Sequence, residues 1–419
     1  MSRQHDVVIV GAGMVGASLA VALRDTGLDI AVVEAVAASQ QEQPSYDARA
    51  IALSHGSQRI LDNLGLWSAL QAEMVTPITG IQVSDRGHFG AVRMDAEEEG
   101  VEALGYVVEA SVLGRVLQPT LAQQSGLTLY CPATIEDVRQ HSQGLALQLQ
   151  HADGTIQLQT RLLVAADGGQ STIAALLGGD YRQRGYGQSA IIANVVGDRP
   201  HAGMAYERFT DTGPLALLPN QAPAWMEGSE AGQRRWSLVW TVRDEQLQEH
   251  LQLDDAAFVA RLQSRLGRRA GRILAAGPRR AYPLGLRFLR DYTRERVVFI
   301  GNAAHTIHPV AGQGLNLGLR DVATLSELLE MAQAGQQDLG GQALLARYRE
   351  LRQTDYRRVT SLTDALARGF ASQLLPLVVT RNLAMIGMDL LPPLRRMMTR
   401  QMMGLTGWQS RLARGAPCD

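Results

Sequence analysis

Residues 6–16, DVVIVGAGMVG, restrict the start of this chain to one local architecture. The β-branched run DVVIV reads as a buried parallel strand. Gly11, Gly13 and Gly16 follow at G-x-G-x-x-G spacing. ASLAVALRDTG then reads as a helix stopped by Gly27, and DIAVVE as a second strand ending at Glu34. In that context Gly11 makes the tight turn, Gly13 lets backbone approach a pyrophosphate, and Gly16 lets helix and strand pack closely. Met14 and Val15 lie in the first helical turn, where amides and helix dipole favour an anion. Glu34, near the expected distance beyond the glycines, suits ribose hydroxyls. The spacing fits FAD and NAD alike. Its place at the start of a long chain with no second such motif favours tightly held FAD.

The remaining 400 or so residues leave room for two or three domains. Apolar content of 46% and charge of 19% are those of an ordinary globular protein. A net charge of −1 gives no electrostatic case for nucleic acid. Cys131 and Cys418 are too few for a disulfide framework or a zinc site, so no metal is expected. MSRQHDVVIVGAG runs straight into a strand without a signal-peptide pattern, and no apolar run reaches the roughly 18 residues that span a bilayer. The expectation is a cytoplasmic protein. All 40 basic residues are arginine, so a Schiff-base or P-loop lysine is impossible.

Two further segments repeat the strand-then-glycine pattern. LLVAADGGQS (162–171) ends a buried strand in Asp167, Gly168 and Gly169 and starts a helix at Ser171. Alone it reads better as an ordinary strand followed by an Asp-Gly turn. RVVFIG (296–301) ends a third strand at Gly301 and Asn302. His305, His308 and Pro309 follow, then Gly312 and Gly314 at the start of a long amphipathic helix, AGQGLNLGLRDVATLSELLEMAQAG. Bare amides at a helix start suit an anion or developing negative charge. Gly312, Gln313, Gly314, Leu315 and Asn316 are therefore candidates for contact with the cofactor. His305 is a candidate proton-relay residue.

In this order the three motifs resemble those of the class A flavoprotein monooxygenases, the para-hydroxybenzoate hydroxylase fold. Four other strings, DARAIALS (47–54), VSDRGHFG (83–90), ERFTDTGPLALLP (207–219) and GQGLNLGLRDV (312–322), are similar to the ubiquinone-biosynthesis hydroxylases, most of all the 2-polyprenyl-6-methoxyphenol branch. Two positions depart from the pattern. Asn302 stands where the family has an acid, and Ala174 where an arginine is common.

The resemblance implies an α/β fold. A Rossmann-like FAD-binding domain of the GR2 type (1–72, 100–180 and 279–345) would carry an inserted β-sheet substrate domain (73–99 and 181–278) and a C-terminal helical region (346–419). It implies FAD, O₂ and NADH or NADPH as electron donor. The reaction would be hydroxylation of a polyprenylated methoxyphenol through a C4a-hydroperoxyflavin. It puts Arg49 and Arg115 near the pyrophosphate or ribityl chain, with Asp167, Gly168, Gly301, Asn302 and Pro309 also on the cofactor. Pro309, Gln313 and His305 would position flavin or substrate. Tyr206, Arg208, Phe209 and Leu217, with Leu215, are candidates for the substrate pocket. A sister hydroxylase acting at another ring position, a soluble phenol hydroxylase and a non-catalytic flavin-binding scaffold are the alternatives. A flavin halogenase is excluded by the missing lysine and by Trp236 and Trp240 lying four apart.

The C-terminal region has its own signal. QALLARYRELRQTDYRRVTSLTDALARGF reads as a long helix. LLPLVVTRNLAMIGMDLLPPLRRMMTRQMMGL is apolar, methionine-rich and basic, with Pro392-Pro393 breaking any helix. It reads either as a cover over the core or as a soft surface for a prenyl chain, a membrane face or other ubiquinone-biosynthesis proteins. The second reading adds a peripheral contact with the inner membrane face to the cytoplasmic expectation.

Overall fold

The computed structural model describes residues 3–37, 46–47, 49–221, 234–307, 312–371 and 374–415. Two large sheets organise the chain. The first has eight strands. Its main path runs Thr293–Arg294, Val297–Phe299, Gly154–Ala165, Arg3–Val10, Ile30–Val33, Leu127–Tyr130, and a hairpin, Ala133–His141 with Gly144–His151, is added to it. Its centre is parallel, and Val7, Val8 and Ile9 are fully buried there. Such strands carry apolar residues on both faces because helices cover both. The helices Met14–Ala22 and Gln313–Ala334 pack together and bring their N-termini to the same edge of this sheet.

The second sheet has nine strands and is mostly antiparallel. Tyr181–Gly197 lies between Arg280–Leu289 and Arg235–Arg243, followed by Gly213–Pro219, Met204–Thr210, Gly80–Asp85 and Ala91–Asp95. Trp240, Leu215 and Leu217 on one face pack against Phe258 and Leu262 of the Asp255–Leu266 helix. A small third sheet joins Ala50–Ser54, Gly105–Glu109 and Thr76–Ile78.

The expected α/β class, FAD-domain sheet, separate β-sheet region and C-terminal helices are all present. The expected segment boundaries need correction at two places. Arg280–Leu289 belongs to the nine-stranded sheet, because its backbone pairs along Tyr181–Gly197 and its end meets His305–Thr306. Thr76–Ile78 pairs with Gly105–Glu109 instead of the substrate-side sheet. The C-terminal helices are Gln342–Ala371, Leu375–Leu390, Pro392–Met402 and Arg411–Arg414. The Pro392-Pro393 break separates the middle pair, which bend by 100°. Among the described residues no single helix is long and apolar enough to cross a membrane.

Candidate active site

Register brings the three motifs together. Val10 pairs with Val33 and Ala165, and Ala165 with Phe299, so these strands end in one row. Gly11, Glu34, Asp167 and Gly301 lie just beyond it, at the carboxyl edge where open α/β sheets bind ligands. Gly11 has φ +98°, and a Cβ there would meet the Ala166 carbonyl oxygen at 2.6 Å. A Cβ on Gly16 would overlap the Gly11 carbonyl, so only glycine lets the helix start press onto the turn. Glu34 holds the loop from below: its carboxylate accepts the Ala12 N–H at 2.6 Å and the Val36 N–H at 2.8 Å. The Tyr46 hydroxyl donates to the Ala12 carbonyl at 2.9 Å, and burial, reinforced by the Glu34 charge, raises its pKa.

A cavity of about 680 Å³ opens at this edge. Gly11, Gly13, Met14, Val15, Glu34, Arg49, Asp167, Gly168, Asn302, Gly312, Gly314 and Leu315 all line it. The residues fit an extended cofactor rich in hydroxyls. Asp167 Oδ2 accepts the Ile173 N–H at 3.1 Å, while its Oδ1 is buried with no hydrogen-bond partner among the described residues. Burial pushes this carboxyl above the usual range, against hydrogen bonds from Ser171 and the Ile173 amide. The exposed Asn302 side chain has no partner among the described residues. A Cβ on Gly314, at the start of its helix, would point into open space. Arg49 is ion-paired to Asp47 at 2.7 Å and lies over the Tyr282 ring at 4.9 Å, and Tyr282 donates to the same Asp47 at 3.0 Å. Burial alone would raise Asp47, but Arg49 outweighs it and holds the carboxyl below its ordinary range.

Several motif residues act from behind the cavity. Asn316 is buried. It accepts the Ser54 N–H at 2.8 Å and donates to the carbonyls of Ala52, at 2.9 Å, and Gly312, at 2.7 Å. It ties the Ala50–Ser54 strand to the helix start. Gln313 borders a second, smaller cavity of about 50 Å³ with Asn316 and Met403. Gly301 donates its N–H to Asp321 at 3.0 Å. His305, expected near the chemistry, is 1% exposed and does not line the main cavity. Its Nε2 lies 3.0 Å from Asp321, which also accepts from Arg352 Nε and the Tyr356 hydroxyl, each at 2.8 Å. This network fixes the Gly301 turn. Arg115, expected near the pyrophosphate, is exposed and pairs with Glu73 at 2.9 Å away from the cavity, because its helix turns that side to solvent. Pro309 and His308 lie outside the described residues.

The opposite wall is the nine-stranded sheet. Ala190, Ile192, Ala205, Pro214, Ala216, Leu218, Val239 and Leu284 make it largely alkyl, with Thr241 and Glu207 as polar points. The expected substrate residues are mostly on the other face. Glu207 pairs with Ala216 across the ladder and both line the cavity, whereas Tyr206 pairs with Leu217 and Arg208 with Leu215. Leu215 and Leu217 are buried against the Asp255–Leu266 helix. Tyr206 touches the cavity edge, with its ring tilted against Trp236 behind the sheet, centroids 5.6 Å apart. Arg208 borders Gly267 on that same side. Phe209 sits in a separate cluster with Met385 and Met403. The alternation in GPLALLP carries the signal for the cavity-facing residues, but both of its faces are apolar, so pattern alone does not orient it. Met402, from the C-terminal helices, also lines the cavity.

A dinucleotide edge and an alkyl sheet wall share one cavity, a layout that fits an FAD-dependent monooxygenase. The chain matches the FAD binding domain family over residues 4–363, and it belongs to that family. It is 37% identical to ubiquinone hydroxylase UbiL of Rhodospirillum rubrum, over 98% of this chain and 93% of that one. It is 30% identical to 3-demethoxyubiquinol 3-hydroxylase of Escherichia coli K12, over 96% of this chain and 100% of that one. The solved structure of p-nitrophenol 4-monooxygenase PnpA from Pseudomonas putida DLL-E4 superposes with a TM-score of 0.77 at 19% identity, covering 98% and 100% of the two chains, and shares the fold.

Proposed function

We propose that this enzyme hydroxylates the aromatic ring of a polyprenylated methoxyphenol in ubiquinone biosynthesis, with O₂ as oxygen source and NADH or NADPH as reductant. The observation that carries the reading is the shared cavity: strand ends and helix N-termini at one side, alkyl side chains at the other. The names of the two curated relatives support the pathway. When bound, FAD supplies the chemistry that transfers one oxygen atom from O₂ to the ring. The chain's own residues do the rest. Glu34, Asp167 and Asn302 would hold sugar and ribityl hydroxyls. The amides at the Gly312–Leu315 helix start would favour negative charge on a neighbouring ring. Ala190, Ala216, Leu218 and Val239 would seat the prenylated ring and keep water out.

The test is turnover of a short-chain prenylated methoxyphenol under ¹⁸O₂ with NADH or NADPH. One labelled oxygen on the ring is the expected result. Colourless protein that cannot be loaded with FAD, or reductant consumption yielding only hydrogen peroxide with every prenylphenol tried, would overturn it. The E. coli relative's name keeps a second reading open, hydroxylation at another ring position. The position of the label separates the two.

A further inference from the structure

We propose that the Leu375–Leu390 and Pro392–Met402 helices, together with the hairpin tip at Phe89, dock this protein on an anionic phospholipid bilayer. The first helix is inverted relative to a water-facing one. Arg381 and Asn382 point inward, with Arg381 Nε paired to Asp85 at 2.8 Å and Asn382 donating to the same carboxylate at 2.9 Å, while Thr380 and Asp389 stay exposed. Asp85 is only 4% exposed. Val379, Leu383 and Leu390 recur at helical spacing on the outer side, and Leu383 and Leu390 are 63% and 71% exposed. A helix that must face water shows the opposite pattern.

Phe89 extends this surface. It is 95% exposed, and the neighbouring Gly90 donates its N–H to Asn382 at 2.8 Å, which sets the hairpin tip beside the helix. On the second helix Met397 is 62% exposed. Arg396 and Arg400 flank it, exposed and with no acidic partner among the described residues. An apolar stripe rimmed by arginine matches the acyl boundary and anionic headgroups of a bilayer. The two helices together are apolar enough for hydrocarbon, yet each is too short to cross it and they bend by 100°. That geometry suits lying in the interface.

The docked face also leads inward. Met402, the last residue of the second helix, is in the cavity wall. A prenyl chain leaving the bilayer would reach the cavity here, a consequence that rests on the proposed function.

Flotation of the full-length, FAD-loaded protein with phosphatidylcholine vesicles, with and without phosphatidylglycerol, tests the proposal. Wild type is expected to float with the anionic vesicles. The triple variant Phe89→Ser, Leu383→Gln, Leu390→Gln should bind at least about tenfold more weakly while keeping its FAD content and melting temperature. Arg396→Gln with Arg400→Gln should weaken binding to anionic vesicles only. If the triple variant does not fold, Phe89→Ser alone is measured and should still reduce binding. Absence of wild-type binding overturns the proposal, as does equal binding by folded variants. So does a wild-type dimer, without vesicle binding, that the variant converts to a monomer. Hydroxylation of a short-chain, water-soluble phenol is scored separately. Inactive protein that still floats would sink the hydroxylase reading and leave the docking surface standing.

Discussion

The Asn316 side-chain carbonyl accepts the backbone N–H of Ser54 at 2.8 Å, across 262 residues of chain. Its amide donates to Ala52 and Gly312 at the same time. Asn316→Leu would leave those backbone groups buried without partners, at about 1–3 kcal/mol each before relaxation. We expect a clear drop in melting temperature together with weaker flavin retention, because the Gly312 loop loses its anchor. Calorimetry with flavin absorbance checks this. A stable variant with full flavin content would show that the loop holds itself.

The Asp321 network should behave as a buried ionic hub. Burial on its own would raise this carboxyl, but Arg352 and His305 outweigh it and hold it below its ordinary value. Its folded pKa is therefore lower than the unfolded value of about 3.9. The stabilisation is present above that value and is lost as pH falls through the folded pKa. Asp321→Asn should cost about 1–3 kcal/mol at neutral pH, since Arg352 loses one carboxylate but keeps Asp355 at 2.7 Å, and should flatten acid unfolding below about pH 4. Denaturant titrations at several pH values measure both effects.

Neighbouring positions on one strand should fail in different ways. Ala216 faces the cavity and Leu217 the core behind the sheet. Ala216→Phe should raise KM or increase uncoupled peroxide formation with little change in stability. Leu217→Ala should cost about 2–5 kcal/mol of stability and leave the KM of the folded fraction near wild type. The reverse outcome, from melting curves and steady-state kinetics, would mean that the wall is assigned to the wrong face.

Asn302 stands in the cavity with no protein partner among the described residues. Asn302→Asp preserves an acceptor and should retain FAD, whereas Asn302→Leu removes both donor and acceptor and should lose it. Flavin stoichiometry after gel filtration reads this directly. Equal content in both variants would remove Asn302 from the cofactor contacts.

The strand–glycine–helix motifs were legible in the chain because each is local. A β-branched run, a glycine at a fixed offset and an amphipathic helix specify their own turn, and the three turns converge once the strands lie parallel. Pro392-Pro393 likewise announced its break. Other assignments depended on what lies behind an element. His305 reads as a potential relay in sequence, but Asp321, Arg352 and Tyr356 enclose it. Arg115 sits in the right helix but on its solvent side. The strand pair at 204–219 has apolar residues at both parities, so only the Asp255–Leu266 helix packing against Leu215 and Leu217 sends Ala216 and Leu218 to the cavity. Side-chain alternation determines which residues share a face, whereas the side that becomes core is decided by the element that comes from elsewhere in the chain to cover it.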